Sequence, residues 1–325
     1  MALELLDSLC LPGDPAKPNE DAFGHDANAA VVLDGATPLG DSLMPGPSDA
    51  AWIAQFGARR LLAHLRDGDG ARKALRGALA DTQKSFEALR RMPPQEVWQT
   101  PCASMMLVVE ADAGPPPHRA RSAQEGEVAV AGPGREAPSQ SIARLARGAS
   151  ESRRGSEIEL LWYGDCAALV QQDDDAVVTV VGETFDKRAA EAERAKLIGK
   201  EKNLSPASGL SRPEFIGSLR AARNRINRGS YWLFSPEVKA ASHVSRRVIG
   251  LGRGATLLLA SDGFLALASD YGAYSADSLM AAARSKGLKT LGEELRAIEA
   301  SDPGGDTFAR FKKSDDATAL LLQLT

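Results

Sequence analysis

Ala29-Ala30-Val31-Val32-Leu33-Asp34-Gly35 is a short apolar run bounded by turn formers that stops on an acidic turn. A run of this length reads as a buried strand rather than a helix, because helices are usually longer and show a 3.6-residue period. The same arrangement returns at Leu257-Leu258-Leu259-Ala260-Ser261-Asp262-Gly263. Working outward from the first run, Ser48 or Asp49 can cap a helix. Trp52, Ile53, Phe56, Leu61, Leu62 and Leu65 then recur at helical spacing. Gly68 and Gly70 end that helix, and residues 72–91 read as a second one with Leu75, Leu79, Phe86 and Leu89 on one face. Two amphipathic helices after a strand predict a helical layer packed on a sheet.

Further strands are predicted at Cys102–Val109, at 158–163 and 167–171 joined by a tight Gly164-Asp165 turn, at 176–181, 230–234 and 255–260, and at Ala317–Leu324. Helices are predicted at 185–197, within 212–227, at 277–283 and at 288–300. Between the strand ending at Val109 and the one starting near Ile158, residues 111–156 turn to Pro, Gly, Ala, Ser and Arg. Such a segment buries too little apolar surface to offset its ordering entropy, so it is read as a disordered insertion within a single domain spanning 1–325. It most simply sits in a hairpin connection. Its arginines could touch an acidic partner; a solvated tether is the plainer reading.

Composition narrows the function. The 325 residues carry 39 Lys and Arg against 43 Asp and Glu, a net charge of −4, which argues against a nucleic-acid binder. The start of the chain has no basic segment followed by a long apolar run, and no stretch of about 18 apolar residues occurs. A cytoplasmic protein with no membrane partner is expected. Cys10, Cys102 and Cys166 are scattered and form no CxxC pair, which fits a reducing compartment and argues against a zinc ribbon or a disulfide framework.

Four acidic turns punctuate the strand pattern: Asn19-Glu20-Asp21, Asp34-Gly35, Ser261-Asp262-Gly263 and Ser314-Asp315-Asp316. Strand ends that emerge at one rim can bring these carboxylates together. Hard divalent cations such as Mg²⁺ and Mn²⁺ take oxygen ligands of this kind, with water filling the remaining positions. Without bound metal, clustered carboxylates repel one another and their pKa values rise. Each turn alone is an ordinary strand-ending turn; the ordered set, each beside its own strand, is what points to a metal site.

The segments NEDAFG, VVLDGAT, CASMMLVV, LWYGDCAALV, LLLASDGFLAL and SDDATALLLQL, in this order over nearly the whole chain, resemble the PPM-type (type 2C) metal-dependent serine/threonine protein phosphatases, especially the compact bacterial ones. Thr184-Phe185-Asp186 and Ser218–Arg223 are weaker echoes of the same family. The resemblance implies an α+β fold, a four-layer α-β-β-α sandwich of two antiparallel sheets flanked by helices. It implies two divalent cations, Mn²⁺ or Mg²⁺, and a third held more loosely. Asp34 would bridge the two, the Gly35 carbonyl would bind one, and Asp262 and Asp315 would complete the two sites. Glu20 and Asp21 would act directly or through water, and Asp165 would bind the third ion with Asp262. The implied reaction is hydrolysis of phosphoserine or phosphothreonine in a protein partner, by a monomer, through a metal-activated water.

The chain departs from the family where many relatives carry a phosphate-binding Arg: that position is Ala16. Lys17 or Arg223 could take over the phosphate contact, Lys17 only as a point charge. Two other readings are open, a phosphoprotein-binding module without turnover and a phosphatase of a small phosphate ester.

Overall fold

The computed structural model describes residues 2–111, 155–173, 177–182, 213–310 and 312–325, with isolated positions between 185 and 201. The bulk of the 111–156 insertion, nearly all of the helix expected at 185–197, and Thr184 and Asp186 lie outside the described residues.

The chain runs β1 (Leu3–Leu11), β2 (Asp21–Asp26), β3 (Ala29–Gly35), α1 (Asp49–Arg66), α2 (Ala71–Leu89), β4 (Ala103–Glu110), β5 (Ser156–Tyr163), β6 (Ala167–Gln171) and β7 (Thr179–Val181). It continues with α3 (Pro213–Arg223), β8 (Ser245–Leu251), β9 (Thr256–Ala260), α4 (Asp262–Ser269), α5 (Ala276–Lys286), α6 (Leu288–Ser301) and β10 (Ala317–Leu324). The strands form two antiparallel five-stranded sheets, in the orders β2-β3-β4-β5-β8 and β1-β10-β9-β6-β7.

Alternation along each strand sorts side chains between two faces, and here both faces are covered. On β3, Val31 and Leu33 pack under α1 and α2 with Ile53, Leu61, Leu75 and Leu79, while Ala30 and Val32 point between the sheets. On β10, Ala319 and Leu321 pack under α4, α5 and α6 with Phe264, Leu265, Leu291 and Leu295, while Leu320 and Leu322 meet Val32, Met106 and Leu160 in the inter-sheet layer. Double-sided burial is why these strands read as unbroken apolar runs. Each fully buried Leu or Val is worth about 1.5–3 kcal/mol, so the middle layer is a main source of stability. The result is the α-β-β-α sandwich.

Helix α1 starts where the sequence places a cap: the Ser48 hydroxyl accepts from the Ala51 N–H at 3.2 Å. Strands β4 and β5 pair directly, Glu110 against Ile158, so the insertion joins neighbouring antiparallel strands. Three strands and a helix have weak sequence signals. β1 carries a register shift between Leu5 and Asp7 and leaves Leu6 exposed. β2 mixes Gly24 and His25 into its run, and β8 is a largely exposed edge strand. α4 begins at once on Asp262, with no loop to announce it. Conversely, the strand expected at 230–234 is replaced by two isolated bridges, Arg228 to Tyr231 and Ala103 to Phe234. There Asn227, at φ +57°, accepts from the Leu233 N–H at 2.8 Å and donates to the Ser235 hydroxyl at 2.6 Å, so a side chain holds this segment in place of a ladder.

Candidate metal centre

β3 ends, β2 begins and β4 begins at the same rim of the first sheet, with Asp34 paired in register to Asp21 on one side and Ser104 on the other. β9 ends and β6 and β10 begin at one rim of the second sheet, where Ala260 pairs with both Ala167 and Ala319. The Gly164-Asp165 turn carries the chain from β5 in the first sheet to β6 in the second, so both rims lie at one end of the sandwich. The turn is tight because Gly164 sits at φ +67° and a Cβ there would come within 2.3 Å of the Ser104 hydroxyl. That hydroxyl donates a short hydrogen bond to Asp165.

Three carboxylates converge at this end. Asp34, Asp165 and Asp262 offer oxygens that all lie within 4.8 Å of one another. Asp165 and Asp262 are buried. Asp21 stands beside them, 3% exposed, with Oδ2 accepting from the Ser261 hydroxyl at 2.7 Å and Oδ1 without a hydrogen-bond partner among the described residues. Ser261 also accepts from the Thr318 N–H at 2.9 Å, and its own N–H donates to the Thr318 carbonyl. One serine thus ties β9 and β10 of the second sheet to β2 of the first.

Burial, and then the neighbouring charges of Asp262, Asp21, Asp165 and Asp315, push the Asp34 carboxyl well above the ordinary range. Asp21 is pushed up to about 8 by burial, with Asp316 and Asp315 adding to the shift against the lowering effect of the Ser261 bond. Burial beside Asp34 and Asp165 also pushes the Cys166 thiol up, which keeps it protonated and non-nucleophilic. Like charges held this close in a buried site are costly unless a cation or protons offset them. The donor set is all oxygen, suited to a hard divalent cation, and the unpartnered Oδ1 of Asp21 is a further donor; the residues present therefore fit a Mg²⁺ or Mn²⁺ ion.

The other expected site residues fall into different positions. Asp315 lies next to the three-carboxylate group, but its Oδ1 accepts from the Lys312 ammonium at 2.6 Å and from the Asp316 N–H at 3.0 Å. Burial opposes the charge on Lys312, yet the nearby Asp315, Asp34 and Asp262 more than offset it and hold the lysine protonated. Glu20 turns its two carboxylate oxygens to the Ser48 and Thr37 hydroxyls, each at 2.6 Å, and so anchors the loop that leads into α1. Gly35 donates its N–H to the Glu20 carbonyl, and a Cβ on it would come within 2.4 Å of the Ala50 carbonyl, so close packing at the head of α1 requires glycine there. Lys17 points into solvent, its side chain 74% exposed and paired with Asp14 at 3.5 Å. Arg223 donates to the Thr37 carbonyl at 2.6 Å and Arg220 to that of Leu39. Together they pin α3 to the loop following Asp34-Gly35. His25 is a β2 residue bonded to the Leu3 carbonyl at 2.7 Å.

Sequence reasoning missed Ser104 and Lys312, and it gave no separate role to Ser261 and Asp316, which stand inside two of the acidic turns. Asp316 is a brace: its two oxygens accept from the Gly13 and Glu20 N–H groups, each at 2.6 Å. A small hydroxyl residue directly before or opposite a motif aspartate was the available signal for the serines. A lysine three residues before Asp315 was the signal for Lys312.

Comparison with solved structures follows the same line. The Mycobacterium tuberculosis serine/threonine phosphatase PstP/Ppp superposes with a TM-score of 0.52 at 16% identity, covering 100% of this chain and 99% of that one. The photosystem II phosphatase PBCP gives a TM-score of 0.50 at 12% identity, with 99% of each chain covered. At such identities the likeness is one of fold, and the fold is that of these phosphatases. No family model matches the sequence, and no curated protein matches it.

Proposed function

We propose that the chain is a PPM-type phosphatase that removes phosphate from phosphoserine or phosphothreonine in proteins, with divalent cations held by its acidic cluster. The observation that carries this reading is the convergence of Asp34, Asp165 and Asp262, from three separated parts of the sequence, within 4.8 Å. Asp21 would add a contact directly or through water, as would the Gly35 carbonyl. A bound Mg²⁺ or Mn²⁺ supplies Lewis-acid chemistry: it ionises water near neutral pH and offsets negative charge on phosphoryl oxygens.

The residues around the cluster do the positioning. Ser104 orients Asp165, and Ser261 orients Asp21 while locking the two sheets in register. Glu20 and Arg223 fix the loop after Asp34 from its two sides. Lys17 is exposed and paired with Asp14, which favours Arg223 over Lys17 as the group nearer to an incoming phosphate. Two cations held at once, and a protein rather than a small ester as substrate, are the finer parts of the proposal and rest on the family resemblance. A cytoplasmic location fits the absence, among the described residues, of any helix long and apolar enough to cross a membrane.

The test is phosphate release from p-nitrophenyl phosphate and from a phosphothreonine peptide, with chelator or with Mn²⁺. Activity is expected in Mn²⁺ alone, and Asp262→Asn is expected to lower it by about 10²-fold or more, the order seen when one transition-state-stabilising group is lost. Equal rates in chelator and in Mn²⁺, or a metal-loaded protein inert on both substrates, would overturn the reading.

A further inference from the structure

Asp315 is set apart from the three-carboxylate group by a cation that the chain itself supplies. The Lys312 ammonium sits 2.6 Å from Asp315 Oδ1, and it also feels the charges of Asp34 and Asp262. A Lys–Asp pair three residues apart on an open surface contributes little. This pair differs in two respects. The lysine side chain is only 31% exposed, and its partner carboxylate borders the buried cluster. The backbone around it is also pinned: the Asp315 carbonyl accepts from Arg296 at 2.8 Å, and Asp316 is braced by Gly13 and Glu20. The ammonium is thus presented to the cluster by an anchored turn.

We propose that Lys312 is a built-in counter-ion of the metal centre: its ammonium holds Asp315 in the place of a divalent cation, so that an ion engaging Asp315 must displace the lysine, while an ion held by the cluster without Asp315 need not. The inference rests on the metal-centre reading above. It predicts two unequal classes of site, the weaker set by Lys312. A single positive charge at this distance is worth at least about tenfold in cation affinity.

The experiment is Mn²⁺ titration calorimetry on the full chain, with bound Mn counted by mass spectrometry, for wild type, Lys312→Met and Lys312→Arg. Lys312→Met is expected to tighten the weaker class at least about tenfold and the stronger class by less, since the lysine contacts Asp315 and none of the three clustered carboxylates directly. Lys312→Arg, which keeps the charge, is expected to behave as wild type. Lys312→Met with both classes unchanged overturns the inference while the metal centre stands. A wild-type chain that binds no Mn²⁺ removes the metal centre itself, and the inference with it. A second readout needs no variant: acetylation of Lys312 by an amine reagent, followed by peptide mass spectrometry as Mn²⁺ is raised. Lys312 is expected to be protected at low Mn²⁺ and to become reactive as the weaker class fills. Reactivity that is indifferent to Mn²⁺ counts against displacement.

Discussion

Asp21 shows most plainly what the site costs the metal-free protein. Its folded pKa of about 8 lies above the unfolded value of about 4. Between those values the folded state keeps a proton that the unfolded chain has released, so this group's contribution to stability is complete below about pH 4 and is lost as pH rises through about 8. Asp21→Asn removes the titration, and the Ser261 hydroxyl can still donate to the amide oxygen. The stability of metal-free Asp21→Asn relative to wild type is therefore expected to rise between pH 5 and pH 8, by on the order of one to a few kcal/mol. Denaturant melts in chelator across that range check it, and a difference that is flat with pH would contradict it. At this scale the sequence is informative about which residues are acidic and where the strands stop. It is silent on rotamers. Asp34, Asp165 and Asp262 bring their oxygens close together while Asp315 turns to Lys312, because a lysine three residues upstream and a main-chain N–H donate to its carboxylate, which the neighbouring carboxylates repel.

Elements carry the next layer of specificity. Two of the acidic turns end in glycine, and the second shows why. A Cβ on Gly263 would lie 2.0 Å from the Asp316 carbonyl oxygen, where the first turn of α4 passes the head of β10. Gly263→Ala is expected to force these elements apart and to cost about 1–3 kcal/mol, the usual range for overpacking. Urea denaturation measures it, and a loss below about 0.5 kcal/mol would show that the two elements can slide. The elements that the sequence announces most plainly are those buried on both faces or strongly amphipathic, among them β3, β4, β9, β10, α1 and α2. β1 and β8 are edge strands, exposed along one side, and β2 is polar near its end, so their patterns are diluted. Residues 230–234 mislead in the other direction. They are apolar enough for a strand, yet the Leu233 N–H goes to the Asn227 side chain and the Tyr231 carbonyl to the Asn227 N–H rather than to a neighbouring strand.

For the whole molecule, the decisive event is the packing of one sheet on the other. The two rims that bear the aspartates come from strands far apart in sequence. They meet because the chain crosses from β5 in the first sheet to β6 in the second through Gly164-Asp165, and because Ser261 links β9 and β10 to Asp21. Periodicity alone indicates a helical layer on a sheet; the pairing of two sheets enters through the resemblance of the motifs taken in order. The inter-sheet layer of Val32, Met106, Leu160, Leu259 and Leu320 then holds the acidic end closed against its own repulsion. The direct test is anomalous diffraction at the manganese edge from crystals soaked in Mn²⁺. The account predicts a peak bounded by the carboxylates of Asp34, Asp165 and Asp262, lost in Asp34→Asn. Crystals that soak up no manganese there, or that place it away from these three residues, would contradict it.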